Sequence, residues 1–512
     1  MKKIVLLLSF IALSASCTDD ITGLNENTKE ATTTKPEYLF TNAQKSLVDQ
    51  MTETSVNFNV FRLFSQQWAE TTYPDESQYN ITTRSIPDAH FRVMYKDVLR
   101  DLKEADLLLD AEVYTTVGTP EEIAAYVAEQ NLIRDNKKAV IAILRAYTFN
   151  VLVDTFGDVP YEEALDIAKF PQPKYADGLT MYKDLIAKLT AATNTLDANS
   201  SLENFESHDL IYGGDEAQWE KFANSLRLKF AVNLADVDAT YSNAEVASAV
   251  AAGIFESNAD NANFQYLNEQ PNANPLYVNL VASGRHDFVP ANTLVTRMNE
   301  LADPRRAKYF TQYTSGVYKG GKQGASNGYS GSSHVNPTLE DPTYRGTILE
   351  YSEIEFLLAE VAARGGDDAT AATHYNAGII ASMENWGVAP AAIATYLADP
   401  KVAYATAGTD KITDPSTAVV IAKTGSGTWQ EKIGYQSWIA LYNRGFESWT
   451  SFRRLDYPAL LAPAAAYNGL PTVPTRFSYP AREETLNSAS VSAAITKMGG
   501  NTLTTKIFWD KF

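Results

Sequence analysis

The sequence predicts a mainly α protein whose helices are separated by long irregular loops. Two observations carry this. Apolar residues recur at helical spacing over many long segments, whereas runs with the alternation of a half-buried strand are scarce. Between the periodic segments lie stretches rich in turn formers and tyrosine, chiefly Trp68–Thr83 and Asn274–Gly331. At 512 residues the chain is long enough for one large core, or for two or three domains.

The helices follow in order. Leu39, Ala43, Leu47 and Met51 share one face of a helix over Pro36–Thr54. Val93, Val98, Leu102, Ala105 and Leu109 do the same over Ile86–Ala111. Thr119-Pro120-Glu121-Glu122 is a helix start, with a Thr cap, Pro at the first position and acids in the first turn. A core helix then runs from Ala139, with Val140, Leu144, Tyr147 and Val151 on a stripe widened by Ile141, Thr148 and Leu152. Gly157 and Pro160 stop it within FGDVPYEEAL. Asp154, Asp158 and Tyr161 are placed to hold that stop by hydrogen bonds.

Further helices are expected over Leu179–Leu196, Asp215–Asp236 and Ala291–Leu301. Leu349–Arg364 and Ala369–Trp386 are joined by GGDD, and such a pair resembles a tetratricopeptide unit. One last helix is expected over Thr428–Leu455, followed by a loop-like tail. Trp219, Trp438 and Trp449 fall in helical register and belong to the core.

Composition removes several classes of function. A net charge of -19 and no basic stripe argue against binding duplex nucleic acid. Cys17 is the only cysteine, which excludes an intramolecular disulfide framework or a thiolate metal site. The five histidines are scattered, with no HExxH spacing, and no EF-hand loop is present, so no metal or other cofactor is expected. The pattern GASNG at Gly324–Gly328 matches a nucleophile motif in letters only, because it sits within Gly, Ser and Asn rather than between a strand and a helix.

The N-terminus reads as an export signal. Lys2 and Lys3 precede an apolar run from Ile4 to Leu13, and Ser14, Ala15 and Ser16 precede Cys17. Residues 1–17 therefore resemble a bacterial lipoprotein signal with Cys17 as the lipidated residue, and residues 18–36 form a polar tether. Thr18-Asp19-Asp20 resembles the signal that directs such lipoproteins to the outer cell surface in Bacteroidetes.

Several blocks together carry a family resemblance. LRAYTFNVLVD followed by FGDVPYEEAL, then IYGGDEAQWEKFANSLRLKFA, LADPRRAKYF, LEYSEIEFLLAEVAARGG and QSWIALYNRGFESWTSFRRLDYP resemble, in that order, the SusD/RagB family of outer-membrane nutrient-binding lipoproteins. The resemblance implies a single SusD-like domain over residues 37–512, with tetratricopeptide-like helix pairs as scaffold and loops as the ligand face. It also implies a non-enzymatic role. Such proteins deliver a glycan, or in some members a peptide, to a SusC-like TonB-dependent transporter, acting as a hinged lid.

The family blocks are scaffold, so candidate ligand residues rest on chemistry. A sugar presents an apolar C–H face and a rim of hydroxyls, which suits Tyr or Trp beside Asp, Asn or Arg. One loop offers Trp68, Tyr73, Asp75, Tyr79 and Asn80. Another offers Tyr277, Asn279, Arg285, Asp287 and Phe288, with Tyr318 and Tyr329 in the glycine-rich stretch. The remaining alternative, a glycoside hydrolase, needs two carboxylates flanking the scissile bond. No motif among the 62 acidic residues marks such a pair.

Overall fold

The computed structural model describes residues 34–404, 412–413, 420–423 and 428–511. It is 56% helix and 5% strand, so the predicted class is correct. The signal segment, Cys17 and most of the tether lie outside the described residues.

α1 (Pro36–Thr52) buries Phe40, Ala43, Leu47 and Met51 along the expected face. Ile86–Ala111 is helical throughout but not uniform. α2 (Ile86–Arg92) and α3 (Arg100–Ala111) flank a π-helical stretch, Val93–Leu99, which turns Met94, Val98 and Leu99 inward.

α4 (Pro120–Phe156) joins the start signal at Thr119 and the apolar stretch from Ala139 into one helix of 37 residues. Its N-terminus is a capping box: the Glu122 N–H donates to Thr119 Oγ1 at 3.3 Å, and the Thr119 N–H donates to Glu122 Oε2 at 2.7 Å. A window of α4 is long and apolar enough to cross a membrane, but 89% of that window is buried inside the protein, which makes it a core helix. Each Val, Leu, Ile or Phe so buried stabilises the fold by roughly 1.5–3 kcal/mol, which makes the second half of α4 the axis of the core.

Gly157 ends α4 with φ of 87°, and a Cβ there would collide with Met498 Sδ. The residues beyond form β2 (Val159–Pro160), which pairs antiparallel with β3 (Tyr175–Ala176) when β1 is counted as Trp68–Glu70. The expected polar supports are in place. Asp154 accepts from Tyr182 Oη, from Asn150 Nδ2 at 3.0 Å and from Trp509 Nε1 at 2.8 Å. Asp158 accepts from the Gly178 N–H at 2.9 Å and from Lys497 Nζ at 2.8 Å. Tyr161 Oη donates to Asp184 at 2.5 Å.

α5 (Gly178–Ala198), α6 (Glu216–Asn233) and α7 (Ala239–Ala251) then stack in turn, α4 on α5, α5 on α6 and α6 on α7. α7 was not expected from periodicity, because Ser242, Val246 and Ala249 are its only buried residues. β4 (Ala262–Phe264), β5 (Phe288–Pro290) and α8 (Asn292–Glu300) follow, and β6 (Gly346–Leu349) returns to pair with β4. α9 (Tyr351–Arg364) and α10 (Asp368–Asn385) pack as the predicted pair, and α11 (Pro390–Leu397) follows.

The single helix expected over Thr428–Leu455 is two, α12 (Trp429–Ala440) and α13 (Gly445–Leu455). Asn443 breaks it with φ of 70°. Gly445 lies so close to the Phe61–Arg62 backbone that a Cβ would sit 2.5 Å from Arg62 N. The break also lets Arg444 reach Glu353 at 2.8 Å. In the tail, α14 (Ala481–Leu486) and α15 (Ser488–Met498) replace the expected loop; α15 buries only Val491 and Ala494, too weak a stripe to be read. Pairing of sequence neighbours in α4–α5, α6–α7, α9–α10 and α12–α13 is consistent with the implied tetratricopeptide-like scaffold. Trp219, Trp438 and Trp449 are buried, as expected.

Candidate functional site

A short antiparallel ladder builds the site. β1 pairs with β5 in the register Trp68↔Pro290, Ala69↔Val289 and Glu70↔Phe288. The ladder continues past Glu70, where the Thr71 N–H donates to the Asp287 carbonyl at 2.9 Å and Thr71 Oγ1 to the His286 carbonyl at 2.6 Å. Asn327 ties in the glycine-rich loop, with Nδ2 donating to the Glu70 carbonyl at 2.8 Å. Two loops more than 200 residues apart in sequence are thereby brought side by side.

Between them lies a cavity of about 230 Å³ lined by Tyr73, Asn279, Arg285, Asp287 and Phe288, with Glu70, Glu76 and Arg84. Five of the expected ligand residues thus converge. Tyr73 is 68% exposed and has φ of 53°, a conformation that costs a residue with a Cβ roughly 1–2 kcal/mol. Asn279 Nδ2 donates to Glu53 Oε1 at 2.5 Å, fixing its side chain to the end of α1. Arg285 and Asp287 form an ion pair at 2.6 Å on the exposed rim. Phe288 is buried and closes the apolar side.

Tyr329 is half-buried, with both faces of its ring covered. Its ring stacks on His286, with centroids 4.2 Å apart and planes 17° apart, and on His334 at 3.8 Å and 8°. The three rings form a short ladder continuous with the chain that carries Arg285 and Asp287.

Other expected ligand residues are elsewhere. Trp68 is buried: its Nε1 donates to Tyr442 Oη at 3.1 Å, and the Arg62 guanidinium lies 5.0 Å from its ring centre. Tyr79 is buried too, packed edge-on against Phe64 at 5.5 Å. Neither ring presents a face to a ligand. The sequence expectation for both is corrected, because β1 turns the start of the loop into core. Asn80 Oδ1 accepts from Thr83 Oγ1 at 3.0 Å and holds a turn. Asp75 is exposed, Tyr277 is half-buried, and neither lines the cavity. Tyr318 lies under the Arg306 guanidinium at 5.4 Å.

Sequence reasoning missed the acidic floor. Glu70 and Glu76 are both almost fully buried. Burial, with the neighbouring Glu76 carboxylate adding to it, pushes the Glu70 carboxyl up to about 8, although the Ser77 N–H opposes this at 2.8 Å. Arg84 pairs with Glu76 Oε1. The two glutamates flank Tyr73 at a separation no motif encodes, and only the fold of the loop brings them together. Because their carboxyls adjoin one another, they do not present the roughly 5–9.5 Å gap with which a glycosidase brackets a bond.

A larger cleft of about 700 Å³ lies on the scaffold side, between α4, α5 and the turn at Tyr161. Its lysines are engaged, Lys138 with Asp110 at 2.5 Å, Lys188 with Asp184 at 2.5 Å and Lys103 with the Leu165 carbonyl at 2.8 Å, and Arg145 lies 4.0 Å from Asp106. Its aromatic rings, Phe149 and Tyr161, are buried. It therefore lacks the exposed ring that the loop cavity has. Ser326 of the GASNG pattern lies in a loop with no helix after it beyond the single turn Tyr329–Gly331.

Known proteins give the context. A family model described as SusD-like, starch-binding associating with outer membrane, matches residues 26–480. A solved chitin-binding protein is 25% identical with a TM-score of 0.75, covering 93% of this chain and 100% of its own. A chitin-binding SusD homologue from Flavobacterium johnsoniae is 22% identical with a TM-score of 0.74, covering 92% and 98%. A SusD homologue from Bacteroides uniformis is 24% identical with a TM-score of 0.74, covering 93% and 100%. No curated protein matches the sequence. The family is one of carbohydrate-binding, non-catalytic proteins associated with the outer membrane. With its model matched over most of the length and the same fold in solved homologues, the chain belongs to the SusD-like family.

Proposed function

We propose that this protein captures a glycan at the cell surface and hands it to a SusC-like TonB-dependent transporter, over which it acts as a hinged lid. The observation that carries the binding part is the convergence of Tyr73, Asn279, Arg285 and Asp287 on one cavity through the β1–β5 ladder. Tyr73 offers an exposed ring for a sugar C–H face, and the amide and the ion pair offer donors and acceptors for hydroxyls. The His286–Tyr329–His334 ladder supplies further stacking surface for a chain longer than one sugar. Titration calorimetry against a panel of oligosaccharides, chito-oligosaccharides included, tests this, with a peptide mixture as the competing ligand class. Saturable heats from peptides alone would replace the glycan reading with peptide capture.

Anchoring is part of the same proposal. Cys17, following its signal, takes several acyl chains, and each buried methylene contributes about 0.8 kcal/mol to holding the protein at the outer membrane. Replacing Cys17 with Ala then releases the protein into the soluble fraction. Retention of that variant in membranes would end the anchor reading. Co-purification of a transporter with the affinity-tagged wild type tests the partnership.

A further inference from the structure

The floor of the loop cavity has a chemistry that neutral sugars do not require. Glu70 and Glu76 are 3% and 1% exposed, and both line the cavity. Glu76 gives one oxygen to Arg84, while its Oε2 has no hydrogen-bond partner among the described residues. A buried carboxylate oxygen left without a donor is costly, on the order of the desolvation penalty of a charged group. Across the opening, Arg285 is already neutralised by Asp287 at 2.6 Å. The charged groups lining the cavity are thus Glu70, Glu76 and Asp287 against Arg84 and Arg285, with Tyr73 as the one other titratable side chain. Were both glutamates ionised, one negative charge would be in excess at the buried end; the proton that Glu70 retains balances it, and the exposed Tyr73 lines the same cavity.

We propose that the Glu70–Glu76 pair receives the ammonium group of an amino sugar, so that the glycan taken by this cavity carries free rather than acetylated amines. This rests on the glycan reading above and specifies its ligand. Three features fit. An ammonium supplies three donors, and Glu76 Oε2 has no donor of its own among the described residues. Tyr73 lines the same cavity, which at about 230 Å³ is below the size of a drug-sized pocket and suits a single residue of a chain. Burial, with the adjoining Glu76 carboxylate adding to it, keeps a proton on Glu70, and a bound ammonium takes that proton's place between the two carboxyls. A metal ion fits less well, because no group of three or more His, Cys, Asp or Glu side chains among the described residues is arranged to hold one.

The test compares the tetramer of glucosamine with the tetramer of N-acetylglucosamine by calorimetry at pH 6, using the mature full-length protein. The expected result is at least tenfold tighter binding of the glucosamine tetramer. Glu76→Gln should remove that preference, bringing the two tetramers to equal affinity. Because Arg84 loses its partner in that variant, the wild type is also titrated in two buffers of different ionisation enthalpy. Release of a large fraction of a proton per glucosamine tetramer, and of none for the N-acetylated one, supports the proposal independently. Equal affinity for both tetramers, with no proton release, overturns the inference and leaves glycan binding standing. Binding of neither overturns the inference, and binding of no member of the wider oligosaccharide panel overturns the glycan reading as well. Tight binding of trilysine with the same dependence on Glu76, and none of the glucosamine tetramer, would reassign the pair to a peptide ammonium. A rise in melting temperature with calcium chloride that EDTA reverses and Glu76→Gln abolishes would make it a metal site instead.

Discussion

Trp509, three residues from the C-terminus, donates its indole N–H to Asp154 at 2.8 Å, across 355 positions of sequence. The bond closes the molecule on the end of its central helix. Asp154 is fully buried and also receives Tyr182 Oη, while Arg453 donates to its backbone carbonyl at 2.7 Å. Desolvation raises the affinity of this carboxyl for a proton, opposed in part by the Arg453 charge, whose guanidinium lies 3.5 Å from the Trp449 ring centre, and by the donors. Replacing Asp154 with Asn keeps the shape but removes the charge and turns one acceptor into a donor facing other donors. The expected loss is about 2–3 kcal/mol, read from denaturant unfolding, with affinity per folded molecule unchanged. A variant of wild-type stability would mean that this network is not what holds the C-terminus.

Gly157→Val should be at least as damaging. The φ of 87° disfavours a β-branched residue, and the new side chain must displace Met498. A loss of about 3 kcal/mol or more is expected, again without a change in affinity for the folded fraction. Lost binding in a fully stable Gly157→Val protein would show that the turn is part of the ligand site.

Trp68 separates scaffold from site. Its buried ring makes Trp68→Ala cost about 3–5 kcal/mol through the cavity left behind and the orphaned Tyr442 hydroxyl. Thermal unfolding should reveal that loss. A stable Trp68→Ala protein with selectively weakened ligand binding would restore Trp68 as a contact.

The acidic floor gives a signature in pH. Glu70 is raised to about 8 in the folded protein from a usual value of 4.5, so the folded state binds the extra proton between those values. Stability is then lost as pH rises from about 4.5 through 8. Glu70→Gln, which cannot ionise, should be more stable than wild type at pH 9, by about 2 kcal/mol once the residual exposure and the coupling to Glu76 are discounted. At pH 4 the difference should shrink, because Glu70 is then protonated in both states. Parallel stability curves for the two proteins from pH 4 to pH 9 would contradict the assignment.

The scaffold was the legible part, and the physical reason is periodicity. Where a helix buries a broad face, as α4 does from Ala139 to Phe156, the stripe is visible in one dimension, and its capping box and glycine stop mark the ends. Where burial is slight, as in α7 and α15, nothing repeats strongly enough to be read. The break at Asn443 was hidden because Trp438, Leu441, Tyr442 and Trp449 mimic one continuous stripe, while the cause of the break, the backbone at Phe61–Arg62, lies far away in sequence. The site divides in the same way. Tyr73, Asn279, Arg285, Asp287 and Phe288 could be singled out because residue chemistry in a loop is local information, and the fold gathers them around one cavity. Trp68 and Tyr79 were misplaced, and Glu70 and Glu76 overlooked, because which side of a loop faces the core depends on the β1–β5 register.

The central claim is that the loop cavity, with Tyr73 as its exposed ring, is where ligand binds. Tyr73→Ala removes a side chain that is 68% exposed, so folding should be untouched, and its melting temperature should match wild type within a degree or so. Calorimetry of this variant against the oligosaccharide that binds the wild type most tightly is the most direct measurement. A loss of about tenfold or more in affinity is the predicted result, since ring stacking and the covered sugar face together contribute on the order of 1–2 kcal/mol. Wild-type affinity in the Tyr73→Ala protein would contradict the account and move the site elsewhere on the molecule.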